Sequence, residues 1–190
     1  MLGKRAKILS DDNIRALLAF TTRTRHPLRN RAIVLLSTKA GLRAGEIASL
    51  TWSMVTDSTG EIGTVIALED RAAKKKSGRV IPLHRDLRDA LVELRNATGD
   101  CPVIRSERGG PMTPPSIVNW FTSAYRAIGL TGCSSHSGRR TFVTRAARLV
   151  DQAGGSLRDV QLLVGHRSIL TTQRYIDGDT DAQRRLVALL

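Results

Sequence analysis

Apolar residues recur three and four positions apart near the start of the chain, which is the spacing of an amphipathic helix. The polar segment 10–12, which precedes the first of these runs, has the composition of a helix N-cap. A second helix is predicted to begin near Pro27 and to end at Gly41, and a third to begin near Arg43. The amino-terminal part of the chain is therefore predicted to be helical.

The pattern then changes to short apolar runs typical of strands, at 62–68 and 79–83. Between them lies the basic segment 72–78, which contains three consecutive lysines. These segments predict an antiparallel β-hairpin with a lysine-rich tip. A lysine run is usually a solvated surface, but at the tip of a hairpin it could also contact DNA phosphates.

Helical spacing returns after the hairpin and continues to the carboxyl end of the chain. Helices are predicted around Leu87 to Leu94, from Pro114 onward, and at 136–149, 157–164, 169–175 and 179–190. We therefore expect a mostly α fold with a small antiparallel β-sheet, an α+β fold, formed by a single domain over residues 1–190.

Lysine and arginine outnumber aspartate and glutamate strongly enough to give a net charge of +13. This charge favours a polyanionic partner, with nucleic acid ahead of an anionic membrane surface. Only 4% of the residues are aromatic, which argues against binding by base stacking. No apolar run approaches the roughly 20 residues of a membrane span. The basic amino terminus also lacks the apolar stretch of a secretion signal.

The cysteines and histidines argue against disulfide and metal chemistry. Cys101 and Cys133 are too few for a disulfide scaffold and lack CxxC spacing, so reduced thiols in the cytoplasm are expected. The histidines show no HxxxH spacing and have no carboxylate cluster beside them. The sequence therefore predicts no metal site.

Two pairs of residues have a spacing suited to binding a phosphate. His136 and Arg139 would share one helix face, where arginine can bind phosphate with both arms and histidine can transfer a proton near neutral pH. Arg43 opens a helix, where anions are favoured, and Glu46 would either orient Arg43 or cap the helix. Each pair, taken alone, is more typical of a solvated surface.

His166 and Tyr175 lie nine residues apart near the end of the chain. His166 follows Gly165 at a predicted helix end, so its ring either faces a cleft or caps the helix. Tyr175, next to an arginine, is either a nucleophile or a half-buried core residue.

In combination and in this order, the motifs resemble those of the tyrosine recombinase (lambda-type integrase) family. The matching stretches are Ala40-Gly41-Leu42-Arg43-Ala44-Gly45-Glu46-Ile47, the hairpin from Lys74 through Arg79 to Pro82-Leu83, His136-Ser137-Gly138-Arg139-Arg140-Thr141, and Leu163-Val164-Gly165-His166 with Tyr175. The resemblance extends from about Leu9 to about Asp177. It implies the fold of a tyrosine recombinase catalytic domain.

The resemblance also implies roles for the candidate residues. Arg43 and Arg139 would bind the scissile phosphate, and Tyr175 would attack it, forming a 3′-phosphotyrosyl bond and releasing a 5′-hydroxyl. His136 would be the acid/base partner and His166 a phosphate ligand. The family needs neither ATP nor a metal, so no cofactor is implied.

A lysine of the hairpin would be the general acid that protonates the leaving 5′-oxygen. Counting back from Pro82 and Arg79 selects Lys74, whereas Lys76 fits if the hairpin is two residues shorter. Glu46 and the second lysine are therefore supporting residues of the expected site.

The activity implied is site-specific recombination or integration of double-stranded DNA, in a bacterial or phage-type protein associated with the nucleoid. Relatives usually carry an additional amino-terminal DNA-binding domain, whereas here the catalytic-type region begins almost at Met1. The chain is thus expected to be a minimal member or a fragment, with DNA binding that falls steeply with salt. The segment 179–190 would pack either on a neighbouring protomer or on its own domain.

Two other functions are compatible with parts of the pattern. A type IB topoisomerase uses similar chemistry, but the spacing from His166 to Tyr175 is that of an integrase. A catalytically silent DNA-binding or regulatory module would have no reason to keep all six candidate residues.

Overall fold

The computed structural model describes residues 6–73, 77–99, 102–175 and 187–188. Within these ranges three helices are followed by a two-stranded antiparallel sheet and five further helices. The mostly helical α+β fold expected from the sequence is confirmed. The predicted hairpin tip with Lys74 and Lys76, Cys101, and the predicted helix 179–190 apart from residues 187 and 188 lie outside the described residues.

The first helix, α1 (Asp11–Thr21), begins where the polar segment predicted it. Ser10 Oγ accepts a hydrogen bond from Asn13 N at 3.1 Å, and Asn13 Oδ1 accepts one from Ser10 N at 3.1 Å. This reciprocal capping box satisfies two backbone N–H groups that the helix itself leaves unpaired. Ile14 and Leu17 then face the core.

The second helix, α2 (Pro27–Lys39), forms the centre of the core. Residues 32–36 are all buried, as expected for a helix that is apolar on every side and surrounded by others. Its neighbours are α1, α3 (Ala44–Ala48), α4 (Arg85–Thr98) and α6 (Ser137–Leu149). Because α2 ends beside α3 and α6, its carboxyl end brings two of the predicted motifs together.

The strands β1 (Val65–Leu68) and β2 (Arg79–Pro82) pair antiparallel, so the predicted hairpin is confirmed. β1 is shorter than predicted, because Ile62 forms an isolated bridge with Thr56 instead of extending the strand. Asp57 stabilises the turn between them by accepting bonds from the backbone N–H groups at 59 and 61. The chain therefore reverses once before it enters the sheet.

The remaining helices divide between two hydrophobic clusters. The helix α5 (Pro114–Ala127) packs on the large core, while α6 and α7 (Leu157–Val164) form a smaller one, and α8 (Ile169–Gln173) packs beside α7. α6 begins one residue later than predicted and α8 ends two residues earlier, so His136 and Tyr175 flank helices instead of lying within them. None of the described helices is long and apolar enough to cross a membrane.

The segment ahead of α1 is bound along α6. Leu9 N donates to Thr141 Oγ1 at 2.8 Å, Arg140 donates to Ala6 O at 2.9 Å, and Arg145 donates to Leu9 O at 3.2 Å. This segment thereby reaches the same face of the molecule as the candidate residues of α6.

Candidate active site

A cleft of about 640 Å³ lies beside the start of α3, the first turn of α6 and the segment that follows α7. Five of the six candidate residues line it: Arg43, His136, Arg139, His166 and Tyr175. The sixth, Lys74, and the alternative Lys76 lie outside the described residues. Residues that are far apart in the sequence are therefore brought to one cavity.

Arg139 reaches this cleft because α6 approaches α2 closely at Gly138. A Cβ atom at Gly138 would lie 2.3 Å from Ser37 Oγ, so the contact requires glycine. Arg139 then donates from Nη1 to Gly41 O at 2.6 Å and from Nη2 to Val164 O at 2.8 Å. Each of these nitrogens has a second N–H, so the guanidinium keeps donors for a ligand.

The charge of Arg139 persists at neutral pH although the side chain is buried. Burial lowers its pKa to about 10, with Arg43 and Arg79 acting in the same direction and Glu46 opposing them. Three arginines thus surround one carboxylate, which leaves an excess of positive charge at the cleft. Such an excess suits a bound phosphate.

Both carboxylate oxygens of Glu46 accept hydrogen bonds. Through them Glu46 caps α3 and orients Arg43. Arg43 donates from its backbone N to Oε2 at 2.9 Å and from Nη1 to Oε1 at 2.7 Å. Arg79 donates to the two oxygens at 3.1 Å each. Burial acts to raise the pKa of Glu46, but the hydrogen bonds and charges of Arg79 and Arg43 outweigh it and lower the pKa.

Arg79 belongs to the hairpin stretch quoted above, but the sequence did not predict its place in this network. Its side chain is only 5% exposed, and its Nε also donates to Leu163 O at 3.0 Å. Strand alternation is the signal that could have found it, because Arg79 shares the inward face of β2 with Ile81. The apolar Val80 between them is 61% exposed, which hides that alternation in the sequence.

His166 is held by the turn that ends α7. The chain reverses at Gly165, whose φ of 65° is left-handed. Gln161 donates from Nε2 to His166 O at 2.8 Å, and His166 N donates to Gln161 O at 3.1 Å. The imidazole Nδ1 lies 3.0 Å from Thr172 Oγ1, a hydrogen bond that fixes the ring.

The imidazole of His166 is neutral at neutral pH. Burial lowers its pKa to about 4, and the positive charges of Arg139, Arg43 and Arg79 act in the same direction, against Glu46. A neutral imidazole has one N–H donor and one acceptor nitrogen. When Thr172 donates to Nδ1, the Nε2–H is available to a ligand in the cleft.

Tyr175 lies just past α8 and is half-buried. Its ring stacks on His166, with centroids 5.5 Å apart and planes inclined by 24°. Its backbone N donates to Thr172 O at 3.0 Å, and Thr144 Oγ1 donates to Tyr175 O at 3.5 Å. Tyr175 packs on the smaller core and also lines the cleft. It is therefore both a partly buried core residue and a residue that a ligand in the cleft can reach.

His136 occupies the N-cap position of α6 and is exposed. Its backbone N donates to Ser134 Oγ at 3.3 Å. The shared helix face predicted for His136 and Arg139 is therefore only partly correct, because His136 precedes the helix. Both side chains nevertheless line the same cleft.

Further basic residues border the cleft besides the candidates. Arg140 and Arg174 line it and add to its positive character. Among the residues that the structure describes, no group of three histidine, cysteine, aspartate or glutamate side chains could hold a metal ion.

The helical fold with one hairpin, and the cationic cleft bordered by a tyrosine, define a domain of the tyrosine recombinase class. The chain belongs to the phage integrase family, whose sequence model matches residues 7–181.

Two relatives show how much of the chain this similarity covers. The chain is 32% identical over 161 residues to tyrosine recombinase XerC of Mesorhizobium japonicum, which covers 80% of this chain and 47% of the relative. It is 29% identical over 182 residues to XerC of Xylella fastidiosa, covering 94% of this chain and 58% of the relative. The chain thus spans about half the length of the curated relatives it matches.

Solved structures share the fold at lower identity. The crystal structure of XerA recombinase has a TM-score of 0.74 at 24% identity, covering 96% of this chain and 64% of that chain. A lambda integrase dimer bound to a COC′ core site has a TM-score of 0.70 at 22% identity, covering 91% and 48%.

Proposed function

We propose that this chain is the catalytic domain of a site-specific DNA recombinase that cleaves and rejoins DNA through a 3′-phosphotyrosyl intermediate on Tyr175. The supporting observation is the convergence of Arg43, Arg139, His136, His166 and Tyr175 on one cleft with an excess of positive charge. Membership of the phage integrase family supports the same reaction class.

In this proposal the two arginines bind the non-bridging oxygens of the scissile phosphate. Arg139 is preorganised by the carbonyl groups of Gly41 and Val164, and the side chain of Arg43, 26% exposed, by Glu46. Donors held in place before the reaction stabilise the developing charge without reorganising, which is the main source of catalysis in phosphoryl transfer.

The covalent step exchanges one phosphoester bond for another. Tyr175 Oη attacks phosphorus and its proton passes to His136, while the bond from phosphorus to the 5′-oxygen breaks. Lys74 protonates that oxygen, and His166 donates its Nε2–H to a non-bridging oxygen as a neutral ligand. In the second half, a 5′-hydroxyl attacks the phosphotyrosine and gives its proton to Lys74, while the bond from phosphorus to Tyr175 Oη breaks and His136 returns the proton to the tyrosine. The phosphodiester is restored, so no ATP is consumed.

The position of β2, the strand that follows Lys74, supports the assignment of Lys74 as the general acid. Ser77, Gly78 and Arg79 line a second cleft of about 440 Å³ together with His166, so the start of β2 lies next to the active cleft. Gly78 N also donates to Asp70 Oδ1 at 2.8 Å, which ties the two sides of the hairpin together. This position of β2 supports the proposal that a lysine of the preceding connection is the general acid.

The lysine assignment is tested with a 5′-bridging phosphorothiolate, whose sulfur leaving group needs no proton. Lys74→Ala should cleave normal DNA slowly and cleave the phosphorothiolate at a rate close to wild type in single-turnover assays. Lys76→Ala is the matched control and should behave alike on both substrates. Sulfur rescue of Lys76→Ala alone would assign the acid to Lys76.

Double-stranded DNA containing a specific recombination site is the proposed substrate, and the net charge of +13 supports it. We also propose self-association on DNA through the segment 179–190, with the protein acting at the nucleoid in the cytoplasm. Structures of lambda integrase as a dimer on a core site and as a tetramer on a Holliday junction provide the precedent.

The proposed reaction is tested by trapping the covalent intermediate. A nicked suicide substrate carrying a DNA site that the wild-type protein binds specifically is incubated with the protein, denatured in detergent and examined for a protein–DNA band. Wild type should give the band with or without EDTA, and Tyr175→Phe should give none. Tyr125→Phe, which changes the only other tyrosine of the chain, should keep the band because Tyr125 is buried away from the cleft.

Other outcomes of this assay would contradict the proposal. Absence of the band with the wild-type protein would indicate a silent DNA-binding module. A band together with relaxation of supercoiled DNA that lacks the site would indicate a topoisomerase. Loss of the band in EDTA would rule out the metal-free mechanism.

A further inference from the structure

The side chain of Arg79 connects three parts of the site without lining the active cleft itself. From the start of β2 it donates to both carboxylate oxygens of Glu46 in α3 and to Leu163 O in the last turn of α7. Leu163 precedes Val164, whose carbonyl accepts from Arg139, and is three residues before His166. One side chain therefore links the supports of Arg43, Arg139 and His166.

The contacts of Glu46 show what Arg79 contributes electrostatically. A carboxylate has about four acceptor positions. Arg79 occupies two of them, and the backbone N and Nη1 of Arg43 occupy the other two. Arg139 Nη1 is 4.0 Å from Glu46 Oε2, too far for a hydrogen bond, and binds a carbonyl group instead.

We propose that Arg79 is a positioning residue that saturates Glu46 and thereby leaves the charge of Arg43 and Arg139 available to the scissile phosphate. This inference rests on the proposed function. Without Arg79, Glu46 has two free acceptor positions, and the nearest cations are Arg43 and Arg139. Both guanidinium groups are then drawn toward the carboxylate, and the cluster has one positive charge fewer.

The test compares two substrates that differ in the charge of the phosphate. In the methylphosphonate, a methyl group replaces one non-bridging oxygen at the scissile position and removes its negative charge. Arg79→Met should slow formation of the covalent adduct on normal DNA, at saturating DNA, by about 10–100-fold, because a misplaced guanidinium weakens charge stabilisation. On the methylphosphonate the defect should be smaller by about fivefold or more.

Two further variants separate positioning from folding. Arg79→Lys keeps the charge and one donor, so its rate on normal DNA should lie between those of wild type and Arg79→Met. Arg29→Met is the matched control, because Arg29 also donates to a distant carbonyl group, Arg105 O at 2.9 Å. Arg29 lies at the amino end of α2, whereas the site lies beside its carboxyl end. It should leave both rates unchanged. The melting temperature of each variant is measured first, and the rates are compared at a temperature at which the compared variants are folded. If Arg79→Met does not fold at any usable temperature, the comparison of Arg79→Lys with wild type on the two substrates decides the test.

Defined results would overturn the inference. Equal slowing on the two substrates would assign Arg79 a purely structural role, and a wild-type rate on normal DNA would assign it none. Either result leaves the proposed function intact as long as the wild-type protein forms the adduct. Absence of the adduct in wild type would remove the proposed function and this inference with it.

Discussion

His166 is kept neutral by its surroundings, and this lowers the free energy of unfolding at acidic pH. Its folded-state pKa of about 4 is below the value of 6.5 for an unperturbed histidine, so between these values the unfolded chain binds a proton that the folded chain does not. Stability therefore rises with pH across this window and falls as the pH is lowered from 6.5 to 4. Because solvent in the cleft reaches part of the ring, the size of the effect is below the roughly 3 kcal/mol expected for a fully buried group.

This pH dependence predicts a specific difference between variants. The free energy of unfolding of wild type, measured by denaturant titration from pH 7 to pH 4, should fall more steeply than that of His166→Gln. Tyr175→Phe retains the imidazole and its buried environment and should follow wild type. Parallel curves for wild type and His166→Gln would show that folding does not lower the pKa of His166.

At the residue scale, the candidates that the sequence revealed are those within short motifs. Arg43 with Glu46, and His136 with Arg139, are three positions apart, so local spacing could identify them. Arg79 could not be identified in this way, because its partners Glu46 and Leu163 are 33 and 84 positions away. Such contacts depend on how whole elements pack, so the alternation of β2 could have shown only that Arg79 faces inward, not which groups it binds.

At the element scale, the approach of α6 to α2 places Arg139. Adding a methyl group at Gly138 would force it against Ser37 Oγ, at 2.3 Å from the new Cβ. Gly138→Ala should therefore lower the free energy of unfolding by about 1–3 kcal/mol, as overpacking does. The measurement is thermal or denaturant unfolding.

Gly45→Ala in α3 is the matched control for this prediction. A Cβ at Gly45 would have no atom within 4 Å, so the substitution should be neutral or stabilising. Combining Gly138→Ala with Ser37→Ala should recover part of the lost stability, because the closest atom is removed. Wild-type stability of Gly138→Ala would show that the two helices are not in close contact at this point.

Most helices could be predicted because their apolar spacing and capping residues are local features. The Ser10 capping box and the apolar run 32–36 in the middle of α2 are examples. The short 3-10 turn Trp52–Met54 and the isolated bridge between Arg105 and Pro111 could not be, because both depend on tertiary packing and lack a periodic pattern. The start of β1 was predicted too early for the same reason, since a bridge within a turn resembles a strand in composition.

At the scale of the whole molecule, the two hydrophobic clusters separate the supports of the site. Arg43 belongs to the region of the large core, whereas Tyr175 packs on the small core of α6 and α7, whose buried residues are Val143, Ala147, Val160 and Val164. The proposed nucleophile is therefore attached to the group of helices that buries less apolar area, which is where local opening costs least. The cleft lies where the two groups meet.

Locating the covalent bond on the protein shows directly whether Tyr175 is the nucleophile. The adduct formed by wild type on the suicide substrate is digested with nuclease and protease, and the peptide carrying the nucleotide is identified by mass spectrometry. We expect a nucleotide linked through its 3′-phosphate to the peptide that contains Tyr175 and to no other. A nucleotide on a different residue, or an adduct formed by Tyr175→Phe, would contradict it.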